Sequence, residues 1–203
     1  DRHGLAENTL VIFAADNGCA PYIGVEDMNE LGHFPSYIYR GYKSDIWEGG
    51  HRIPLLARWP ARIAAGSSSS ETVGLTDLLA TCASILGDEL PADAGEDSYD
   101  ILPALLGEPY AEPIREATVH HAGDGSFSIR QGRWKLELTP SSGGYGNLDD
   151  AEVRQRNLPP IQLYDLDADI AETRNLYDRY PELVERLTAL LESYQERGRS
   201  TPG

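Results

Sequence analysis

The feature that most limits how this chain can fold is the run from Thr9 to Ala15 (TLVIFAA), which ends abruptly at Asp16-Asn17-Gly18. A segment that is apolar on both faces is typical of a central strand in a parallel sheet covered by helices. Residues 53–60 predict a second short strand. Thr76 to Gly87 carries an N-cap, helical apolar spacing and a terminal glycine, which predict a helix. We therefore expect an α/β layer fold in the first half of the chain.

The pattern changes near residues 107–114, and shorter alternating segments follow. Alternation of apolar and polar residues is typical of strands in an antiparallel sheet with one covered face. The predicted elements are strands at 117–122, 126–130, 134–138 and 161–166, a hairpin turn at 131–133, a loop at 140–160 and a helix from about Pro181 to Glu196. The second half therefore predicts a small antiparallel sheet with a helix packed on it.

Charge and cysteine content exclude several function classes. The net charge of −16 argues against a general nucleic-acid binder or a polybasic membrane anchor. No apolar run approaches the ~18–20 residues of a membrane-spanning helix. The two cysteines, Cys19 and Cys82, have no zinc-site spacing and cannot form a disulfide scaffold. Residues 40–62 hold five basic side chains against two acidic ones, which favours a small anion as ligand; chance clustering is the alternative.

The first candidate site is Asp16-Asn17, directly after the apolar run. Ligands of open α/β sheets collect at the carboxyl ends of strands, and a carboxylate beside an amide oxygen offers the hard ligands that Ca²⁺ or Mg²⁺ prefers. Gly18 lets the backbone turn away and leaves both side chains free. An ordinary turn after a strand is the alternative. The second candidate site is the basic loop containing Lys43 and the Gly49-Gly50 pair.

An ordered series of motifs resembles the type I, formylglycine-dependent sulfatases of the alkaline-phosphatase superfamily. The motifs are Gly41-x-Lys43-x4-Glu48-Gly49-Gly50-x-Arg52-Ile53-Pro54, Leu75–Thr81, Arg133–Leu136, Leu163–Leu166 and Glu172–Leu176. The resemblance implies an α/β fold: part of an alkaline-phosphatase-like sandwich with a mixed sheet, plus a small C-terminal antiparallel-sheet subdomain with a packed helix. Residues 1–108 are expected to form the C-terminal part of the catalytic α/β domain, and residues 109–203 the subdomain.

The resemblance also implies roles for individual residues. Asp16 and Asn17 match a pair of Ca²⁺ ligands, and Lys43 matches the catalytic lysine that binds the sulfate ester and its leaving oxygen. His33 and His121 are further candidates for substrate binding, with an ordinary structural role as the alternative. The expected activity is hydrolysis of a carbohydrate or aryl sulfate ester.

The alternatives are a phosphodiesterase or phosphonate monoester hydrolase of the same superfamily, and a non-catalytic carbohydrate-binding domain. The expected partner is a sulfated small molecule or glycan, with no nucleic acid and no membrane, and the oligomeric state is left open. The family resemblance predicts a periplasmic or secreted location.

The chain departs from the family where the nucleophile is concerned. The family nucleophile is a cysteine in a C-x-[PA]-x-R motif, which is oxidised to formylglycine. The Cys19 segment (CAPYI) has the proline but lacks the arginine, and Cys82 lies within the predicted helix. We therefore expect this chain to be the C-terminal half of a sulfatase, with the formylglycine in an N-terminal half and no turnover by these residues alone.

Overall fold

A computed structural model describes residues 2–202. Within that range the helices are α1 (Val25–Glu30), α2 (Glu48–His51), α3 (Leu78–Leu86), α4 (Leu102–Leu106), α5 (Asp150–Gln155) and α6 (Pro181–Arg197). The strands are β1 (Val11–Ala14), β2 (Leu55–Arg58), β3 (Thr118–His121), β4 (Phe127–Gln131), β5 (Trp134–Glu137) and β6 (Gln162–Asp165). No helix in this range is long and apolar enough to cross a membrane.

The chain forms two compact units. The first contains the described residues up to 15, residues 54–116 and residues from 194 onward; the second contains residues 16–53 and 117–193. This division groups residues by contact and differs from the predicted domains 1–108 and 109–203. The predicted family boundary therefore stays a prediction.

The first unit holds the predicted apolar strand. β1 pairs with β2 in an antiparallel ribbon, with Phe13 opposite Leu56. The expected parallel neighbours of β1 are not found among residues 2–202, so that part of the expectation stays a prediction. Phe13 is 65% exposed and Leu56 59% exposed, so the other described residues leave most of these two apolar side chains uncovered.

Helix α3 confirms the helix predicted from Thr76 to Gly87, but Thr76 is not its N-cap. A 3-10 turn over Leu75–Asp77 precedes the helix, and Gly87 ends it in the left-handed conformation. Asp77 is fully buried in this turn. Its carboxylate accepts the backbone N–H groups of Gly74 and Tyr99 and pairs with the guanidinium of Arg115. This network joins the start of α3 to residues about 20 and 40 positions further along the chain.

The second unit is built on a four-stranded antiparallel sheet in the order β3-β4-β5-β6. All four strands were predicted, and so was the β4–β5 hairpin, whose Gly132 has a positive φ of 56°. The predicted loop at 140–160 is wrong in one part, because α5 forms within it. Asp149 and Glu152 close a capping box at the start of α5, and this local pairing overrides the surrounding Gly and Pro residues.

The core of the second unit contains residues from the loop before α2, from the sheet and from the segments that follow β3 and β6. Its members are Ile46, Trp47, Ala122, Tyr164 and Leu166, with Ile170 packed against them. The amphipathic helix predicted near the end of the chain is confirmed as α6, and it buries Leu187 and Leu191 fully.

Replacing Asp77 with alanine should destabilise the protein strongly. The change leaves the Arg115 guanidinium, which is 6% exposed, without its carboxylate, and removing one partner of a buried ion pair costs about 3–5 kcal/mol. Urea unfolding followed by tryptophan fluorescence measures the loss. Asp88→Ala is the control, because Asp88 is exposed and such changes are usually within about 0.5 kcal/mol of neutral. Equal costs for the two variants would contradict a structural role for the Asp77 network.

Candidate functional site

The segment after β1 presents two side chains with free oxygens. Asp16 is exposed, and its carboxylate makes no hydrogen bond or ion pair with any residue from 2 to 202. Asn17 is half-buried, and its Nδ2 donates to the carbonyl of Gly18 at 3.0 Å, which leaves its side-chain oxygen without a donor in the same range. The carboxylate of Asp16 and the amide oxygen of Asn17 are therefore both unpaired within the described residues, and their role as metal ligands stays a prediction.

The backbone of this segment is hydrogen-bonded to the basic loop. Gly18 N–H donates to the carbonyl of Gly50 at 2.8 Å, and Lys43 N–H donates to the carbonyl of Cys19 at 2.9 Å. The structure thus places the Asp16-Asn17 pair and Lys43 on two segments that are directly bonded to each other. Lys43 is half-buried, and its ammonium pairs with no carboxylate among the described residues.

Close backbone packing explains the glycines at this junction. A Cβ on Gly18 would lie 1.8 Å from the carbonyl oxygen of Gly49, and a Cβ on Gly49 would lie 2.2 Å from the carbonyl oxygen of Gly41. A Cβ on Gly50 would lie 2.0 Å from the carbonyl oxygen of Asp45. The sequence predicted unusual backbone geometry at Gly49-Gly50, and the structure instead places both in the α2 turn, where no side chain fits.

The sequence reasoning missed a buried charged group, which we name the Lys135 cluster and define as Lys135, Glu48, Glu137 and Glu172. The exposed fraction of each residue is 1% or less. Lys135 Nζ lies 2.7 Å from Glu172 Oε1, 3.2 Å from Glu48 Oε1 and 3.2 Å from Glu137 Oε1. One ammonium therefore joins three carboxyl groups that come from α2, β5 and the loop after β6.

Further polar side chains surround this cluster. Arg52 Nη1 lies 3.0 Å and Arg130 Nη1 3.7 Å from Glu48 Oε2. His51 Nε2 lies 3.2 Å from Lys135 Nζ and 3.1 Å from the carbonyl of Ile46, and the tautomer of His51 decides which hydrogen bond forms. Glu48, which belongs to the sequence motif, thus connects α2 to the sheet through its contacts with Lys135 and Arg130.

Burial and charge shift the pKa values within the cluster in different directions. Burial raises the pKa of Glu137 well above its usual value, and the neighbouring Glu172 adds to the effect against the opposing charge of Lys135. Burial works to lower the pKa of Lys135, but the charges of Glu137, Glu172 and Glu48 outweigh it and raise that pKa. Burial acts to raise the pKa of Glu48. The positive charges of Lys135 and Arg130 outweigh burial, so the pKa of Glu48 is lower than its usual value.

The two histidines predicted to bind substrate lie on the surface. His33 is exposed, and its ring makes no hydrogen bond, ion pair or aromatic contact with any residue from 2 to 202. His121 is exposed at the end of β3, where its Nδ1 lies 3.2 Å from the carbonyl of Ala122 and its ring packs edge-on at 6.2 Å from Phe127. Both positions leave the imidazole open to a ligand, and their role in binding stays a prediction.

The donor chemistry of Asp16 and Asn17 fits part of a Ca²⁺ site. Ca²⁺ takes six to eight oxygen ligands, from carboxylates, amide carbonyls and water. No group of three or more His, Cys, Asp or Glu side chains in the described range could hold a metal ion. Asp16 and Asn17 can therefore supply two oxygen ligands, and the remaining Ca²⁺ ligands have to come from other groups or from water.

Comparison with known proteins identifies the family. Residues 1–88 match the family model described as Sulfatase. The chain is 35% identical over 196 residues to the N-acetylgalactosamine-6-O-sulfatase of Bacteroides thetaiotaomicron, an alignment that covers 95% of this chain and 37% of that protein. The chain belongs to the sulfatase family. Human arylsulfatase A is 35% identical to this sulfatase chain over 182 residues, covering 85% of the chain and 34% of the human protein.

A solved structure supports the same assignment. A Bacteroides thetaiotaomicron protein, determined in work on the metabolism of multiple glycosaminoglycans, superposes on this sulfatase chain with a TM-score of 0.78 at 34% identity. The match covers 95% of this chain and 40% of that protein. The α/β, alkaline-phosphatase-like fold class is confirmed. The sulfatase chain spans little more than a third of the length of the curated relatives quoted above.

Replacing Glu137 with glutamine should change how the stability of the sulfatase depends on pH. The raised pKa means that the folded protein keeps a proton that the unfolded chain releases above its ordinary pKa of 4.5. Stability from this group is therefore fully present below pH 4.5 and is lost as pH rises through the folded pKa. Glu137→Gln mimics the protonated acid, so its stability relative to the unmodified protein should increase as pH rises above about 5.

Thermal unfolding midpoints measured from pH 5 to pH 8 test this expectation. Glu185→Gln, at an exposed position in α6, is the matched control. His51 contributes in the opposite direction in both proteins, because burial and the charges of His120 and Lys135 lower its pKa well below the usual value of 6.5. A difference between Glu137→Gln and the unmodified protein that is constant with pH would show that Glu137 is ionised in the folded state.

Proposed function

We propose that a sulfatase containing this chain hydrolyses sulfate esters, and that these residues supply part of a Ca²⁺ site together with the ammonium that binds the sulfate. The observation that carries the proposal is the pair of backbone hydrogen bonds, Gly18 to Gly50 and Lys43 to Cys19, which joins the Asp16-Asn17 pair to Lys43 in a member of the sulfatase family. Two oxygen ligands for a hard cation and an ammonium, carried on hydrogen-bonded segments, are the groups that an anionic, oxygen-rich ligand requires.

The roles of the residues follow from the charge that develops during the reaction. Cleavage of a sulfate ester places negative charge on the non-bridging oxygens and on the leaving oxygen. Asp16 and Asn17 would hold Ca²⁺, which supplies electrostatic stabilisation of that charge when bound. Lys43 would donate hydrogen bonds from its ammonium to the sulfate and its leaving oxygen, and this contribution would grow as the charge develops.

The nucleophile in this proposal is a formylglycine outside the residues described. Cys19 is half-buried and Cys82 exposed, and neither lies in a C-x-[PA]-x-R motif. These residues alone are therefore expected to turn over no sulfate ester. An assay of the full-length protein with 4-nitrophenyl sulfate and with 4-nitrophenyl phosphate separates the two activities. Faster hydrolysis of the sulfate supports the proposal, and faster hydrolysis of the phosphate contradicts it.

We propose a sulfated small molecule or glycan as substrate, and a periplasmic or secreted location. The relative from Bacteroides thetaiotaomicron is named for the removal of a 6-O-sulfate from N-acetylgalactosamine, which supports a sulfated sugar. The net charge of −16 repels a long polyanion, so a small or terminal sulfated unit is favoured. The exposed rings of His33 and His121 are available to contact the organic part of such a substrate.

Replacing Lys43 with alanine in the full-length sulfatase should lower kcat by ~10²–10³-fold, which is the effect of removing one donor to a developing oxyanion. Steady-state kinetics with an aryl sulfate measure the change. Lys43→Arg is the conservative comparison, because it keeps the charge. Arg58→Ala, at an exposed position of β2, is the control for loss of a surface cation. A decrease below threefold for Lys43→Ala would show that another cation has this role.

Replacing Asp16 with alanine should weaken Ca²⁺ binding at least about tenfold and abolish turnover, because it removes a charged oxygen ligand. Isothermal titration of the metal-free full-length protein with Ca²⁺ measures the affinity without relying on activity. Glu26→Ala removes an exposed carboxylate on α1 and serves as the control for a change in net charge. Unchanged Ca²⁺ affinity in Asp16→Ala would contradict the proposed ligand role.

A further inference from the structure

We propose that Lys135 and Glu172 are positioning residues for Asn17 and Lys43. They fix the backbone of α2, and both segments that carry the candidate site side chains are hydrogen-bonded to α2 or to each other. The inference rests on the proposed function for its catalytic consequence. The hold of the cluster on α2 concerns the folded chain alone, and amide hydrogen exchange measures it separately from activity.

The first step is the contact of Glu172 with the start of α2. Glu172 Oε1 accepts a hydrogen bond from Lys135 Nζ at 2.7 Å, and its Oε2 accepts the backbone N–H of Glu48 at 2.6 Å. The side chains of Lys135 and Glu172 are both 0% exposed. An ionised acceptor forms a shorter and stronger hydrogen bond to a backbone N–H than a neutral one does. The first N–H of α2 is therefore held by a carboxylate whose own position is set by a buried ammonium.

The second step is a parallel connection through Arg40. The carbonyl of Glu172 accepts a hydrogen bond from Arg40 Nη1 at 2.8 Å, and the Arg40 guanidinium stacks on Trp47 at 3.6 Å. The carbonyl of Arg40 in turn accepts Gly49 N–H at 2.7 Å. Glu172 has a positive φ of 52°, a conformation that is unfavourable for a non-glycine residue and persists where surrounding contacts hold it. Side chain and backbone of Glu172 thus both act on α2.

The third step leads from α2 to the candidate site. The carbonyl of Gly50 accepts a hydrogen bond from Gly18 N–H. The carbonyl of Cys19, the residue after Gly18, accepts a hydrogen bond from Lys43 N–H. The backbones of Gly18 and Gly49 are packed closely, since a Cβ on Gly18 would lie 1.8 Å from the Gly49 carbonyl oxygen. A displacement of α2 is therefore passed to Asn17 and to Lys43 together.

A purely stabilising role would not require charged residues here. Removing an ammonium and carboxylates from water is costly, and well-packed apolar side chains of similar volume often stabilise a protein equally well or better. An apolar residue at 135 would fill the space but would not direct a carboxylate to the Glu48 N–H. The buried charges are explained by the direction they impose on α2.

The test uses Glu172→Gln and Lys135→Met in the full-length sulfatase. Glu172→Gln keeps the side-chain volume but removes the charge, and Lys135→Met removes the ammonium. Leu187→Ala is the matched control, because it empties a fully buried position of α6 in the same unit, and its apolar side chain can take no part in the hydrogen bonds and ion pairs of the cluster. Amide hydrogen exchange of residues 16–19 and 43–50 is measured together with kcat, KM and the thermal midpoint, below the unfolding transition of every variant.

Both cluster variants should speed exchange at the Gly18 and Lys43 amides about tenfold or more and lower kcat ~10²-fold, because small displacements of catalytic groups have effects of that size. KM should change less than kcat. Leu187→Ala should lower the thermal midpoint as much or more, with kcat within twofold of the unmodified protein. Should Lys135→Met fail to fold, Glu172→Gln decides the question.

Unchanged exchange at Gly18 and Lys43 in Glu172→Gln would overturn the proposal. So would a loss of kcat no larger than that of Leu187→Ala at an equal thermal midpoint. If the unmodified full-length protein hydrolyses no sulfate ester, the proposed function fails, and the exchange rates alone still decide whether the cluster holds the two segments.

Discussion

The arrangement of the second unit depends on one ammonium placed among three carboxyl groups in a dry interior. Lys135 comes from the sheet, Glu48 from α2 and Glu172 from the loop after β6, so the ion cluster is the place where three separate parts of the chain meet. Each carboxylate buried there would be costly without the ammonium, and the ammonium would be costly without them. The ammonium and the carboxyl groups therefore compensate each other's loss of hydration.

Local sequence patterns were sufficient to predict most of the secondary structure. The strands β2 to β6, the hairpin turn at Gly132 and the long helix α6 follow from apolar spacing and turn residues, and all of them form. The short helix α5 was missed because its six residues offer too little periodicity to show within a Gly- and Pro-rich stretch. Its capping box, Asp149 with Glu152, was the one signal that could have revealed it.

The same patterns misrepresent the polar face of β5. In the sequence, Lys135 and Glu137 alternate with Trp134 and Leu136, which is typical of a strand with one face in water. Both polar side chains are completely buried. Alternation identifies two different faces but carries no information on what covers the polar one, and here Lys135 meets the carboxyl groups of Glu48 and Glu172, which are far away in the chain.

The candidate site was predictable to the extent that its residues are neighbours in sequence. The Asp16-Asn17 pair and the Lys43 loop were found from their motifs, whereas the hydrogen bonds between these segments are tertiary contacts that no local pattern encodes. Glu172 was noted only as part of a resembling segment, and its contact with α2 could not have been inferred.

The Glu172–Glu48 hydrogen bond joins residues that are 124 positions apart, which bears on the order in which the molecule assembles. A contact of such long sequence separation requires closure of a large loop, and chains rich in non-local contacts fold more slowly. During synthesis from the N-terminus, the backbone around Lys43 emerges well before the sheet and the acidic residue that orient it. The start of α2 therefore gains its hydrogen bond to Glu172 only after residue 172 has been synthesised, so the geometry of the backbone near Lys43 is completed late in synthesis.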